Sequence, residues 1–230
     1  MKIAVIGAID EEIQFFKNSM DKKTIEHHNT YQFYIGSLFQ FQIILLKSGI
    51  GKVLASIATT LLIKVYNPDI IINIGSAGSI HNLLQPGNIV IPNLISYHDV
   101  NLTKFGYKIG QIPGFPQSFS VNKKLLKIYR KVVLEHNIKY MEGNIVTGDN
   151  FIFQKKNTIY IKKHFINAIA VDMESAAIAH VCYKFNIAFL VIRSISDYAN
   201  KNGDIDFKKF ITLSSINNLN IFQSILKHLK

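Results

Sequence analysis

Residues 168–195 read AIAVDMESAAIAHVCYKFNIAFLVIRSI, which is an apolar strand, a helix of small apolar residues and a second apolar strand. Continuously apolar strands are typical of a sheet that is covered on both faces. The same alternation begins the chain, where the apolar strand at residues 2–8 precedes a helical pattern, and it recurs where the helix at 52–66 precedes a strand at 69–74. The sequence therefore predicts an α/β fold in which a mixed central β-sheet is flanked by helices.

Two carboxylates, Asp172 and Glu174, interrupt the apolar run that opens this stretch. Asp and Glu are almost never fully buried unless they find hydrogen-bond donors or shift their pKa. Acid is also scarce, with 15 Asp and Glu against 26 Lys and Arg. Yet Asp10–Glu12 follow the first strand directly, and Asp197 ends the last one. The pattern predicts an acid-lined site at the ends of the strands.

The rest of the chain supplies more helices, strands and turns of the same fold. We expect one domain over residues 1–230, because no low-complexity stretch divides the chain. The remaining predicted elements are a hairpin at 31–35 and 39–47, strands at 88–96 and 143–147, and helices at 11–20, 123–135 and from 206 onward. Ligands of such folds bind beyond the carboxyl ends of the strands. Five polar or glycine-containing segments follow predicted strands and should share one site: 7–12, 75–78, 148–153, 172–174 and 193–197.

Charge and composition exclude several classes of protein. The net charge is +11, but the positive charge is nearly all lysine, scattered in pairs, with no basic block interleaved with aromatics, so we expect no nucleic-acid partner. No apolar run reaches the roughly 18 to 20 residues of a membrane span, and we expect a cytoplasmic protein without a membrane partner. The lone Cys182 predicts core packing in place of a disulfide or a nucleophile.

Arg193 is informative because the chain has only two arginines and this one lies in an apolar strand. Either the planar guanidinium is needed in the site, or it pairs structurally with Asp172 or Glu174. Both interpretations stay open at the level of sequence.

Two glycine-containing segments, Gly49–Lys52 and Gly75–Gly78, are predicted turns. The second would present the backbone of Ser76, Ala77 and Gly78 to a ligand, although tight turns with close packing explain both equally well. Neither segment is a P-loop or a dinucleotide fingerprint. The acidic residues after the first strand would repel phosphate, and no His or Cys spacing suits a metal. We therefore expect neither a cofactor nor a metal.

Carboxylates at strand ends suggest acid/base hydrolysis. A buried carboxylic acid can donate a proton to a leaving group while an ionised one activates water. Asp197 is the candidate acid and Glu12 the candidate base. Asp10 and Glu11 are explained by the preference of acidic side chains for the first turn of a helix.

These motifs together resemble the 5′-methylthioadenosine/S-adenosylhomocysteine nucleosidases of the purine nucleoside phosphorylase superfamily, essentially from end to end. The matching segments are KIAVIGAIDEE (2–12), LLKSGIGKV (45–53), IINIGSAGS (71–79), YHDVNLTKFGYKIGQIPGFP (97–116), VTGDNFI (146–152), AVDMESAAIAHV (170–181) and VIRSISDYA (191–199). The resemblance implies a nucleoside phosphorylase-like fold without a cofactor. It also implies hydrolysis of the N-ribosidic bond of both nucleosides to adenine and a 5-thioribose product, a step of methionine salvage.

The resemblance also implies roles for polar residues. Asp197 would protonate adenine N7, and Glu12 would activate the attacking water. Ser76 and Arg193 would help to place that water. Glu174 would accept hydrogen bonds from the ribose hydroxyls.

Other residues would shape the pocket around the base and the sugar. Phe151 would stack on adenine, and the backbone of Ile152 would read its edge. The ribose and alkylthio wall would consist of Ile9, Ile50, Met173 and Phe207. The partner subunit of a homodimer would contribute Leu102, Phe105 and Pro113.

Two positions depart from the family pattern, since Ile9 stands where Met is common and Asp172 where Glu is common. Neither change removes a proposed acid or base. Within the same fold, a nucleosidase that prefers aminofutalosine or another 5′-modified adenosine stays open. From a different class, so does a nucleoside-binding protein without turnover.

Overall fold

A computed structural model describes residues 1–199 and 203–229, in which strands and helices alternate along the chain. The strands are β1 (Lys2–Gly7), β2 (Asp21–His28), β3 (Tyr31–Leu38), β4 (Phe41–Lys47), β5 (Ile70–Ser79), β6 (Ile89–Tyr97), β7 (Ser118–Ser120), β8 (Tyr140–Thr147), β9 (Ala168–Asp172) and β10 (Ala188–Asp197). The α-helices are α1 (Asp10–Ser19), α2 (Lys52–Tyr66), α3 (Lys123–Glu135), α4 (Lys155–His164), α5 (Ser175–Phe185) and α6 (Gly203–His228).

The strands form one mixed sheet in the order β10-β6-β8-β9-β5-β1-β4-β3-β2, with β7 paired to β6. Strand β10 also pairs with β5, so that β5, β10, β6, β8 and β9 close into a ring. Helices α1 and α3 both pack against α6, whereas α2 packs against α5. The predicted α/β fold with a mixed central sheet and flanking helices is confirmed.

Strand β5 differs from its prediction and matters for function. We expected the strand to end at Ile74 and Gly75–Gly78 to form a turn, which is wrong. The strand continues to Ser79, with Gly75 opposite Arg193 and Gly78 opposite Asp197 of the parallel strand β10. Hydrogen bonding to β10 keeps this segment extended although glycine and serine are poor strand formers.

Two further details depart from the sequence pattern. Strand β2 is absent from the prediction, because its residues are almost all exposed and show no apolar alternation. Glu174 occupies the N-cap position of α5, outside the helix itself, and its side chain makes no capping hydrogen bond. Cys182 is fully buried in α5. Among the described residues, no helix combines the length and the apolar character that a membrane crossing requires.

Candidate active site

A cavity of about 290 Å³ opens where β1, β5, β8, β9 and β10 end. Its walls come from all five segments that the sequence placed at one rim, together with α6 and the turn that carries Ile50. The lining residues are Ala8, Ile9, Glu12, Ile50, Ser76, Ala77, Gly78, Asn150, Phe151, Ile152, Val171, Asp172, Met173, Glu174, Ser196, Asp197, Asp204, Phe207 and Lys208. Most of the residues predicted for the site therefore surround one space of a size that suits a small molecule.

Glu12 lies in the first turn of α1 and is only 5% exposed. Its Oε2 accepts a hydrogen bond from the backbone N–H of Ala8 (2.7 Å). Its Oε1 accepts two from Ser76, one from the backbone N–H (2.9 Å) and one from Oγ (3.1 Å). Three donors suit a negatively charged carboxylate, which can act as a base. The neighbouring Asp10 and Glu11 are exposed, and Asp10 pairs with Lys47.

Asp197 ends β10 and is 2% exposed. Its Oδ1 accepts a hydrogen bond from the Ala199 N–H (2.8 Å), and its Oδ2 accepts one from the Ser196 hydroxyl (2.9 Å). Burial raises the pKa of this carboxyl above its ordinary value, and the two hydrogen bonds oppose that shift in part. A raised pKa favours a carboxylic acid that still holds its proton.

The glycines of β5 allow both carboxylates to approach the same strand. A Cβ at Gly75 would lie 2.7 Å from Oε1 of Glu12, and a Cβ at Gly78 would lie 2.9 Å from Oδ1 of Asp197. Any side chain at these two positions would displace an acid. Three residues of strand correspond to a rise of roughly 10 Å, so the carboxylates face the cavity from separate points with room for a substrate between them.

Glu174 contributes a third carboxylate to the cavity and is 7% exposed. Its Oε1 accepts a hydrogen bond from the backbone N–H of Gly51 (2.9 Å), which lies 123 residues away in sequence. Burial, and secondarily the negative charge of Asp172, raises the pKa of Glu174 to about 8. A ligand that donates hydrogen bonds to this carboxyl would therefore favour its ionised form.

Arg193 is held by a buried polar network behind the cavity. Its Nε and Nη2 each lie 3.0 Å from Oδ2 of Asp172, and Nη2 also donates to Oδ1 of Asn73 (2.8 Å). Asp172 accepts a further hydrogen bond from Thr147 Oγ1 (2.6 Å). The sequence left open whether Arg193 is needed in the site or pairs structurally with an acid. The observed contacts fit a structural ion pair with Asp172. Arg193 is 1% exposed and is absent from the cavity wall, and its predicted part in placing the attacking water stays a prediction.

Several apolar side chains line the cavity opposite these carboxylates. Phe151 is 41% exposed on the loop that follows β8, and Ile152 beside it is buried. Ile9, Ile50, Met173 and Phe207 also line the cavity, as predicted for the wall. Gly203 begins α6, and a Cβ there would lie 3.4 Å from the ring of Phe151. The cavity thus offers a flat aromatic surface at one part of its wall and carboxylates at others.

Leu102, Phe105 and Pro113 lie outside this cavity. Phe105 is 77% exposed in a short 3₁₀ turn, and Pro113 is also exposed. Their predicted place in the pocket of a partner subunit stays a prediction.

Several residues of the site were missed by the sequence. The lining residues that were not named individually are Ala8, Asn150, Val171, Ser196, Asp204 and Lys208. All but Asp204 are direct sequence neighbours of residues predicted for the site, so adjacency was the available signal. Asp204 and Lys208 flank Phe207 in the first turns of α6. Within the described residues, no group of three His, Cys, Asp or Glu side chains is arranged to hold a metal ion.

The fold and the acid-lined cavity define an α/β enzyme that acts on a small molecule, and the family model described as Phosphorylase superfamily matches residues 2–227. A 5′-methylthioadenosine/S-adenosylhomocysteine nucleosidase of Buchnera aphidicola subsp. Acyrthosiphon pisum (strain Tuc7) is 46% identical over 229 residues, which cover 100% of this chain and 99% of the relative. The chain belongs to the 5′-methylthioadenosine/S-adenosylhomocysteine nucleosidase family of this superfamily.

Two solved structures have the same fold as this chain. The nucleosidase from Neisseria meningitidis in complex with methylthio-immucillin-A has a TM-score of 0.96 and 34% identity, with 99% of each chain covered. Futalosine hydrolase of Helicobacter pylori has a TM-score of 0.95 and 29% identity, covering 99% of this chain and 98% of that one. The likeness extends over nearly the whole chain in both cases.

Proposed function

We propose that this protein hydrolyses the N-ribosidic bond of 5′-methylthioadenosine and of S-adenosylhomocysteine to adenine and the 5-thioribose product. The observation that carries the proposal is the placement of Glu12 and Asp197, two buried carboxylates that contact opposite ends of Gly75–Gly78 and face one cavity. The names of the relatives supply the substrates.

The chemistry divides between the two acids. Asp197 gives its proton to N7 of adenine, so that the base leaves as a neutral molecule while the bond to the ribose breaks. Glu12 takes a proton from the water that attacks the anomeric carbon. The sum is the addition of one water across the bond, and both carboxyl groups return to their starting state after one proton exchange with solvent.

Four further residues position the substrate or the groups around it in this proposal. Glu174 accepts hydrogen bonds from the ribose hydroxyls, and Phe151 stacks on the adenine ring. Ser76 holds Glu12 with two donors. Arg193 acts through Asp172, since its Nε and Nη2 both contact that carboxylate.

Hydrolysis is favoured over phosphorolysis by the groups around Glu12. The N–H groups of Ala8 and Ser76, which could otherwise bind an anion, already donate to this carboxylate. A phosphate placed here would face the negative charge of Glu12, and the nearby Arg193 is neutralised by Asp172. The test is adenine release from methylthioadenosine with and without phosphate. Turnover that requires phosphate and yields a ribose 1-phosphate would contradict the proposal.

A second candidate, a nucleosidase that prefers aminofutalosine, is favoured by the likeness to futalosine hydrolase. A comparison of kcat/KM on the three nucleosides decides between the two substrate classes. Binding without any adenine release would instead indicate a nucleoside-binding protein, for which neither Glu12 nor Asp197 is needed.

A homodimer is also part of the proposal, with Leu102, Phe105 and Pro113 reaching the partner's pocket. The exposed apolar face of α2 supports it, since Val53 is 67% and Ile57 49% exposed. Sedimentation of wild type and Val53→Glu tests this, with a dimer expected only for the wild type. The single domain over 1–230, which includes residues outside the described ranges, and the cytoplasmic location stay predictions.

A further inference from the structure

We propose that Lys52 is a positioning residue for this reaction. Its ammonium group lies between the carboxylates of Asp99 and Asp149, and these three residues form what we term the Lys52 cluster. The cluster joins the turn that binds Glu174 to the loop that carries Phe151. The inference rests on the proposed function, because it assigns the cluster a role in binding that substrate.

The ion pairs of the cluster are close and partly removed from solvent. Nζ of Lys52 lies 2.6 Å from Oδ2 of Asp99 and 3.5 Å from Oδ2 of Asp149. The side chains of Lys52 and Asp99 are only 22% and 18% exposed. Screening by water and salt weakens exposed pairs most, so this pair constrains its residues more than a surface pair does.

Backbone hydrogen bonds add to the ion pairs. Oδ1 of Asp149 accepts from the N–H of Lys52 (2.8 Å), the first residue of α2. The N–H of Asp149 donates to Oδ2 of Asp99 (3.0 Å). Lys52 and Asp149 are 97 residues apart, so the cluster fixes the start of α2 against a distant loop.

The cluster reaches Glu174 through the residue that precedes Lys52. The N–H of Gly51 donates to Glu174, and the N–H of Lys52 donates to Asp149. Two successive amides therefore hold a cavity carboxylate and a loop carboxylate. Gly51 has a φ of +95°, and a Cβ there would lie 3.0 Å from Oδ1 of Asp149, so this close approach depends on glycine.

The cluster reaches the adenine side of the cavity through Asp149. The next three residues, Asn150, Phe151 and Ile152, all line the cavity. A shift of Asp149 would displace the aromatic ring that stacks on the base. Loss of the Lys52 ammonium should therefore weaken nucleoside binding while the two catalytic carboxyl groups, which it does not contact, continue to act.

The experiment compares wild type with Lys52→Met, which keeps the backbone N–H and most of the length of the side chain but removes the charge. We expect KM for methylthioadenosine to rise about tenfold with kcat within about twofold, because the effect is on placement and not on the chemical step. The dissociation constant for adenine, measured by calorimetry, should rise similarly. Lys52→Arg, which keeps the charge, should restore most of the affinity.

Glu142→Gln is the matched control, because it breaks the exposed ion pair of Glu142 with Arg130 and should leave both constants unchanged. If Lys52→Met does not fold, Asp99→Asn removes the facing charge while an oxygen can still accept from Asp149, and the same rise in KM is expected. An unchanged KM, or a fall in kcat alone, in a folded variant would overturn the role of Lys52. Absence of adenine release by the wild type would instead refute the proposed function.

Discussion

The carboxylate of Glu12 accepts two hydrogen bonds from Ser76, one from the backbone N–H (2.9 Å) and one from the hydroxyl (3.1 Å). The serine lies on β5 between the two glycines that admit Glu12 and Asp197 to the strand. This relationship orients the proposed base toward the space in which the sugar would lie.

Ser76→Ala should lower kcat/KM about tenfold, because it removes a hydrogen bond to a charged group while the backbone donors remain. Steady-state kinetics on methylthioadenosine measure the effect. Ser19→Ala is the control, since the Ser19 hydroxyl donates to the Phe16 carbonyl in α1 and should not affect activity. Equal activity of Ser76→Ala and wild type would show that the hydroxyl does not orient Glu12.

Substrate binding at pH 7 should release protons from Glu174. Burial raises the pKa of this carboxyl to about 8, and hydroxyl donors from a ribose favour the ionised form, which lowers the pKa. The background is Asp197→Asn, which removes the other raised acid and slows turnover. Calorimetry of methylthioadenosine binding in buffers with different ionisation enthalpies counts the protons.

The double variant Asp197→Asn/Glu174→Gln is the control for this count, because Gln has no proton to release. The same proton count in both backgrounds would show that Glu174 does not change its protonation when the ligand binds.

Asp197, the proposed catalytic acid, should lower the free energy of unfolding of the protein at neutral pH. Burial raises the pKa of Asp197 in the folded protein above its value in the unfolded chain. The contribution of Asp197 to the free energy of unfolding is therefore fully favourable at pH values below the unfolded pKa, and it is lost as the pH rises through the folded pKa. Asn does not titrate, its Oδ1 can still accept from the Ala199 N–H, and its Nδ2 can donate to the Ser196 hydroxyl oxygen in place of accepting from it. The free energy of unfolding of Asp197→Asn should therefore be higher than that of wild type at pH 7. The difference between the two should decrease as the pH falls toward 3.8, the ordinary pKa of an Asp side chain.

Urea unfolding at several pH values tests the claim about stability. A gap that stays constant with pH, or that widens in acid, would be inconsistent with a raised pKa at Asp197.

Sequence was sufficient for the parts of this site that lie at strand ends. Asp197 and Glu12 follow apolar strands directly, and the topology of an α/β sheet brings such positions together. It was insufficient for β5, because Gly75–Gly78 has turn-like composition and remains extended only through its pairing with β10. The contact between Lys52 and Asp149 could not be predicted from the sequence either. The two charged residues lie far apart in the chain, and no sequence pattern relates them.

The central claim is that Asp197 supplies the proton on which departure of the base depends, and the most direct measurement is the single-turnover rate of adenine release by Asp197→Asn. We predict a folded variant that still binds methylthioadenosine and releases adenine at least about 100-fold more slowly than wild type, because an amide cannot donate that proton. Release at a rate close to that of wild type would contradict the account.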